Sequence, residues 1–200
     1  MSERVLAGLL DRSAALHSHR CPRQVLGIRS GLLAGEWLGL ELPRADKRLF
    51  TFVETDGCFA DGVAVATGCW FGRRTLRLVD HGKVAATFVD TLTRRAVRIW
   101  PHPLARSQAL VSAPAAANRW QAQLAAYQQM PAAELLRAEP VTLTVSLDAI
   151  ISRPGRRALC TRCGEEVMNE RELLVGGQII CRGCADGSHF RFERSRTAPR

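Results

Sequence analysis

The sequence predicts an α+β fold, a mixed or antiparallel sheet with packed helices, followed by a small C-terminal zinc ribbon. Three observations carry this expectation. Helical and strand periodicities mix without the regular strand-helix repeat of a doubly wound sheet. Hydrophobic residues make up 46% of the 200 positions, enough for a real core. Four of the seven cysteines occur as Cys160-x2-Cys163-x17-Cys181-x2-Cys184. Composition then divides the chain into a domain at 1–151, a Pro- and Gly-containing linker at 152–158, the ribbon at 159–190 and a basic tail at 191–200 expected to be disordered.

Residues 3–16 place Val5, Leu6, Leu9, Leu10 and Leu16 on one helical face. Pro22 suits the first turn of a second helix, in which Gly27, Gly31, Gly35 and Gly39 recur every four residues and form a face that allows close approach of another backbone. Leu49, Phe50, Phe52 and Val53 mark a core strand within 48–55, and the small apolar stretch 58–66 suits a buried helix starting near Asp56-Gly57. Strands are predicted at 75–79, 83–90 and 96–100, the first two joined by a turn at Asp80-His81-Gly82. A helix is expected over 112–129 with Trp120, Leu124 and Tyr127 on one stripe, then a helical turn at 131–136 and a strand at 141–147.

Each Cys-x2-Cys pair turns two sulfurs toward one point, and two pairs supply the tetrahedral thiolate shell that zinc prefers. Between them, 172–180 reads as a hairpin turning at Gly176-Gly177. The alternatives are two disulfides or a rubredoxin-like iron site. An odd cysteine count, with Glu3 and Asp11 where a secretory leader needs basic and then apolar residues, favours zinc in a reducing cytoplasm. Four cysteines fill the shell, so the expected role of Cys160, Cys163, Cys181 and Cys184 is structural.

No apolar run is long enough to cross a bilayer, and a soluble protein without a membrane partner is expected. The net charge of +9 permits an anionic partner, but the basic residues are dispersed: residues 152–200 account for only +4 of it.

Upstream, His17-Ser-His19-Arg-Cys21-Pro22 gathers two imidazoles and a thiol just before a predicted helix start, where the helix dipole favours thiolate. Cys58 opens a second predicted helix with Asp61 in its first turn, and Cys69 follows in Thr67-Gly-Cys69-Trp-Phe-Gly72. Mixed nitrogen and sulfur donors favour zinc, iron or copper over magnesium or calcium.

In order along the chain, His17-Ser18-His19-Arg20-Cys21-Pro22-Arg23, Cys58-Phe59-Ala60-Asp61, Thr67-Gly68-Cys69-Trp70-Phe71-Gly72-Arg73 and Asp80-His81-Gly82-Lys83 resemble the motifs of the formylmethanofuran dehydrogenase E-subunit family over residues 14–150. Some members are similar in carrying a C-terminal zinc ribbon. The resemblance implies an α+β domain, a homodimer, and a polar pocket built from the His-x-His-x-Cys start, the later cysteines and Asp61, able to hold a metal. Ser18 and Arg23 stand where the family pattern has glycine, Trp70 where it has threonine and Arg73 where it has lysine. These exchanges add bulk and positive charge.

The leading functional expectation is a metal-binding protein of this type. Its second site would use His17, His19, Cys21 and Cys58, with Asp61 and Cys69 in the pocket, to hold a transition metal or a metal-containing cofactor. An adaptor that contacts nucleic acid or protein through the ribbon and Arg191, Arg194, Arg196 and Arg200 ranks second. Third comes a thiol-dependent enzyme with Cys21 or Cys58 as nucleophile and His17 or His19 as proton carrier.

Overall fold

In a computed structural model, residues 3–151 and 155–191 are described, the side chain of His17 excepted. The chain divides into two compact units after Thr144. Linker positions 152–154 and the tail from residue 192, with Arg194, Arg196 and Arg200, lie outside the described residues.

The first unit contains α1 (Glu3–His17), α2 (Pro22–Leu38), β1 (Leu49–Val53), α3 (Cys58–Thr67), β2 (Leu76–Leu78), β3 (Ala86–Asp90), β4 (Ala96–Pro101), α4 (Ala105–Ser112), α5 (Arg119–Gln129), α6 (Ala132–Leu135) and β5 (Leu136–Pro140). Its sheet has the order β2-β1-β3-β4-β5. β2 runs parallel to β1, with Thr51 opposite Leu76, and the remaining pairs are antiparallel. The sheet is therefore mixed. The Asp80–Gly82 turn, held by Gly82 N–H donating to Asp80 Oδ1 at 2.9 Å, does not fold β2 onto β3. Instead it crosses the end of β1, where the N–H groups of His81 and Lys83 donate to Glu54 O.

Leu49, Val53, Ala86, Phe88, Val97 and Ile99 form part of the core shared with the helices. α2 is the central helix: it packs on β3 and β4 and against α1, α3 and α5. Its glycines explain how it fits there. A Cβ on Gly27 would stand 2.2 Å from Phe59 O, and one on Gly62 of α3 would stand 2.4 Å from Gln24 O. The two helix backbones thus touch directly, as the four-residue glycine spacing predicts. Gly39, at φ 68°, ends α2 in the left-handed conformation. Buried Arg29 ties α2 to the end of α5, donating to Tyr127 O at 2.9 Å and Met130 O at 2.5 Å.

Two sequence-based boundaries are corrected. The helix expected over 112–129 is confined to α5, because Pro114 supplies no N–H and Asn118 starts the helix only at Arg119 by accepting from Gln121 N–H at 2.9 Å, while the separate helix α4 precedes it at Ala105–Ser112. The strand expected at 141–147 lies instead at Leu136–Pro140, where Leu136 is buried and pairs with Pro101. The residues beyond 140 carry the alternation but lie past the last ladder pair.

Charge burial in the sheet is paired. Glu54, at the end of β1, accepts from Arg98 at 2.6 and 2.7 Å. Asp90, only 1% exposed, accepts from Arg48 Nε and Nη2 at 3.1 and 3.0 Å, from Leu92 N–H and from Thr93 Oγ1, both at 2.9 Å. The Arg48 guanidinium foremost, followed by the Leu92 and Thr93 bonds working against burial, holds the Asp90 carboxyl down at about 2.

The second unit contains α7 (Leu147–Ile150), β6 (Arg157–Leu159), β7 (Glu166–Met168), β8 (Leu173–Val175), β9 (Gln178–Ile180) and α8 (Arg182–Asp186). β6 with β7 and β8 with β9 form two small hairpins. Residues 157 and 158, read as linker from composition, belong to β6. The second hairpin turns at Gly176 and Gly177, both at positive φ (57° and 78°), as predicted.

Gly27→Ala should destabilise the fold by about 1–3 kcal/mol, because its new methyl meets backbone rather than a movable side chain. Gly8→Ala, with open space around the added Cβ in α1, should stabilise it by about 0.5–1 kcal/mol. Urea midpoints that move in the same direction would contradict this packing. For Asp90 the folded value lies below the ordinary carboxylate value, so its contribution is present above about pH 4 and is lost as pH falls toward 2. Asp90→Asn should cost about 2 kcal/mol near neutrality, with the gap to wild type narrowing as the solution is acidified.

Candidate metal centre

The contacts of the glycine faces run in register. Gly27 meets Phe59 and Val63, and Gly31 meets Ala66 and Thr67, so α2 and α3 lie side by side pointing the same way. Both helices therefore begin at the same end of the unit. Cys21 precedes the first residue of α2 and Cys58 is the first residue of α3. A ring nitrogen of His19 and the Sγ atoms of Cys21 and Cys58 all lie within 4.8 Å of one another. His19 is exposed, and the two thiols are half-buried.

The turn that presents these donors is fixed locally. Gln24, fully buried, accepts from Cys21 N–H at 2.7 Å and donates to Ser13 O at 3.2 Å, joining the α2 start to α1. Arg20 pairs with Asp11 across the same turn. Ser18 has φ 62°, in the left-handed region that favours glycine. Gln24 was missed in reading the sequence, although Cys21-x-x-Gln24 has the spacing of a capping box with cysteine as the cap.

Burial pushes the Cys58 thiol up, and Cys21 and then the Asp61 charge add to the rise. A bound cation reverses that balance by favouring thiolate at both sulfurs. Asp61 stands in the first turn of α3, with its N–H donating to Gly57 O at 3.2 Å. Cys69 is elsewhere. It is buried under β1, donating to Leu49 O and accepting from Thr51 Oγ1, both at 3.4 Å, and burial raises its thiol. The side chain of His17 lies outside the described residues.

Cys21 and Cys58 open onto a cavity of about 580 Å³. Its other walls are Pro22, Arg23 and Leu26 of α2, Val84, the Pro101-His102-Pro103 segment after β4, Ala105 and Arg106 of α4, and Trp120, Gln123 and Tyr127 of α5. The α4 and α5 wall lay beyond local pattern reading, since it comes from segments far along the chain.

In the second unit the four sulfurs of Cys160, Cys163, Cys181 and Cys184 lie within 4.8 Å of one another. The first pair sits in a turn closed by Gly164 N–H donating to Cys160 O at 2.9 Å, with Gly164 at φ 75°. The second pair opens α8, where Cys184 N–H donates to Cys181 Sγ at 3.3 Å. Cys181 N–H donates to Cys160 Sγ at 3.3 Å, and such backbone bonds, that of Cys181 foremost, bring the Cys160 thiol down to about 6. The neighbouring Cys181 thiol, followed by burial, pushes Cys184 up to about 12. Four thiols this close suit a shared dication.

Fold and sites together define an α+β protein with candidate cysteine and histidine metal centres. A family model described as "FmdE, Molybdenum formylmethanofuran dehydrogenase operon" matches residues 16–137, and the chain belongs to that family. The crystal structure of a tungsten formylmethanofuran dehydrogenase FmdE-like protein from Syntrophus aciditrophicus is similar in fold, with a TM-score of 0.60 at 20% identity, covering 93% of this chain and 95% of that one. A "Probable S-adenosyl-L-methionine-binding protein" of Archaeoglobus fulgidus is 38% identical over 98 residues, 48% of this chain. The match spans only 27% of that relative's length.

Cys69→Ala should leave the metal content of the purified protein at the wild-type value while lowering the thermal midpoint, because this thiol packs and bonds under the sheet. Elemental analysis beside a melting curve checks both halves.

Proposed function

We propose that the protein is a metal carrier or metal-dependent binding protein with two unlike centres. The observation that carries this reading is the meeting of His19, Cys21 and Cys58 donors at the paired starts of α2 and α3. One imidazole and two thiolates suit zinc, iron or copper, and three protein donors leave a position for an exogenous ligand facing the cavity. His17 and Asp61 are the candidates to complete or adjust that shell. In the second unit, four cysteines fill a tetrahedral shell, which supports structural zinc in a ribbon.

All seven cysteines are free thiols and so available as donors. Among the described residues, no helix is long and apolar enough to cross a membrane. The family resemblance supports a homodimer, with the ribbon available for protein or nucleic acid. S-adenosylmethionine is a less suitable occupant of the cavity than an anion, since its sulfonium would face Arg23 and Arg106 with no lining carboxylate among the described residues to balance it.

The protein should be purified without added chelator and its metal measured per chain. About two ions are expected, one for each donor group. A Cys21→Ala, Cys58→Ala variant should lose one and keep its fold, whereas Cys160→Ala, Cys163→Ala should lose the other and unfold the second unit. Wild type that holds a single zinc, with content unchanged in the Cys21, Cys58 variant, would remove the upstream centre.

A further inference from the structure

The cavity beside the upstream donors divides sharply by polarity. Leu26, Val84, Pro22, Pro101 and Pro103 supply its apolar lining, and Trp120, 46% exposed, adds an indole ring. Among the described residues, the lining contains no Asp or Glu. Its two full charges are the guanidiniums of Arg23 and Arg106, which have no carboxylate partner among the described residues. Both are exposed to solvent on the cavity side of their elements.

Their placement runs against helix electrostatics. Arg23 lies in the first turn of α2 and Arg106 in the first turn of α4, where the helix dipole already leaves positive potential and acidic residues are favoured. Neither first turn contains an acid. Arg137 adds a third positive group behind the wall, its Nη2 lying 3.0 Å from His102 Nε2. Arg106 and Tyr127 line the cavity together. Arg23 and Arg106 thus give this part of the cavity wall a positive character that suits an anionic group.

We propose that this cavity binds an oxyanion carried on a flat apolar body, an aromatic carboxylate or phosphate ester, with Arg23 and Arg106 holding the anionic group and Trp120 flanking the ring. About 580 Å³ is ample for such a molecule, since small-molecule pockets run from about 300 to 1,000 Å³. Guanidiniums grip carboxylate and phosphate through paired N–H donors, and a ring is accommodated by the apolar lining. The inference rests on the proposed metal centre only for a second anchor, by which a ligand donor atom could reach the ion at Cys21 and Cys58.

Calorimetric titration of the full chain tests it, with phenyl phosphate, benzoate, inorganic phosphate and benzyl alcohol as probes. Phenyl phosphate or benzoate should bind saturably, and the tighter of the two identifies the head group. Inorganic phosphate and benzyl alcohol, each lacking one half of the recognised chemistry, should bind at least about tenfold more weakly. Arg23→Ala and Arg106→Ala should each weaken the preferred probe by about tenfold to a hundredfold while leaving the circular dichroism spectrum unchanged. The inference is overturned if neither aromatic anion saturates, if benzyl alcohol binds equally well, or if both arginine variants retain wild-type affinity.

The same titration on the Cys21→Ala, Cys58→Ala variant separates the two readings. Arginine-dependent binding in protein that lacks upstream metal supports the anion site and leaves the metal reading to stand or fall by elemental analysis. A metal-loaded wild type that binds no aromatic anion overturns this inference alone.

Discussion

Everything at the candidate upstream centre depends on a contact made without side chains, the backbone approach of α2 to α3. Gly27 and Gly62 face each other across it, each too close to the opposite backbone for a methyl group. Helices that pack through ordinary side chains keep axes about 8–10 Å apart. Removing the side chains at the crossing brings the two starts together, and with them Cys21 and Cys58. Because the helices run in the same direction, their positive dipole ends also coincide, which favours anionic sulfur at that end. The remaining supports act on this pair. Gln24 ties the Cys21 turn to α1, and Arg29 ties α2 to α5, the helix that brings Trp120 and Tyr127 to the cavity.

Charge is distributed unevenly about this frame. In the sheet, Glu54 meets Arg98 and Asp90 meets Arg48 through two bonds each, so the buried carboxylates are matched where they are desolvated. At the cavity the pattern reverses, with guanidiniums and, among the described residues, no lining carboxylate. Folding alone supplies no reason for that arrangement, since exposed arginines at helix starts gain nothing from the dipole. A site that receives an anion does.

What could be read in advance follows the range of the interactions. The glycine spacing of α2 and the Cys-x2-Cys pairs are local patterns with one main physical meaning, and each appears in the structure as a close helix crossing and as a cluster of sulfurs. The strand at Leu136–Pro140 was hidden because its pairing with β4 is decided across the sheet, while 141–147 offered the cleaner alternation. Alanine-rich composition concealed the break at Pro114 and the separate helix at Ala105–Ser112. Cys69 shares its motif with the family pocket, yet Thr51 and Leu49 engage it beneath β1, a placement set by strand register. Arg106 and Trp120 could not be joined to Cys21 by any local rule, since α4 and α5 reach the cavity only through packing on each other and on α2.

The two cysteine groups differ in a way that donor count alone makes functional. Four thiolates saturate a tetrahedral ion, and the backbone N–H groups aimed at Cys160 and Cys181 consolidate that closed shell. An ion in such a shell would help hold the second unit together, since a segment this small buries little apolar surface. His19, Cys21 and Cys58 are three donors, and the space beside the two sulfurs is a cavity. Cys21 and Cys58 share that cavity with Arg23, Arg106 and Trp120, so an ion held there would lie beside these side chains. A ligand in that cavity would meet two guanidiniums and an indole side chain in one volume, so its anionic group and its apolar body would be oriented together.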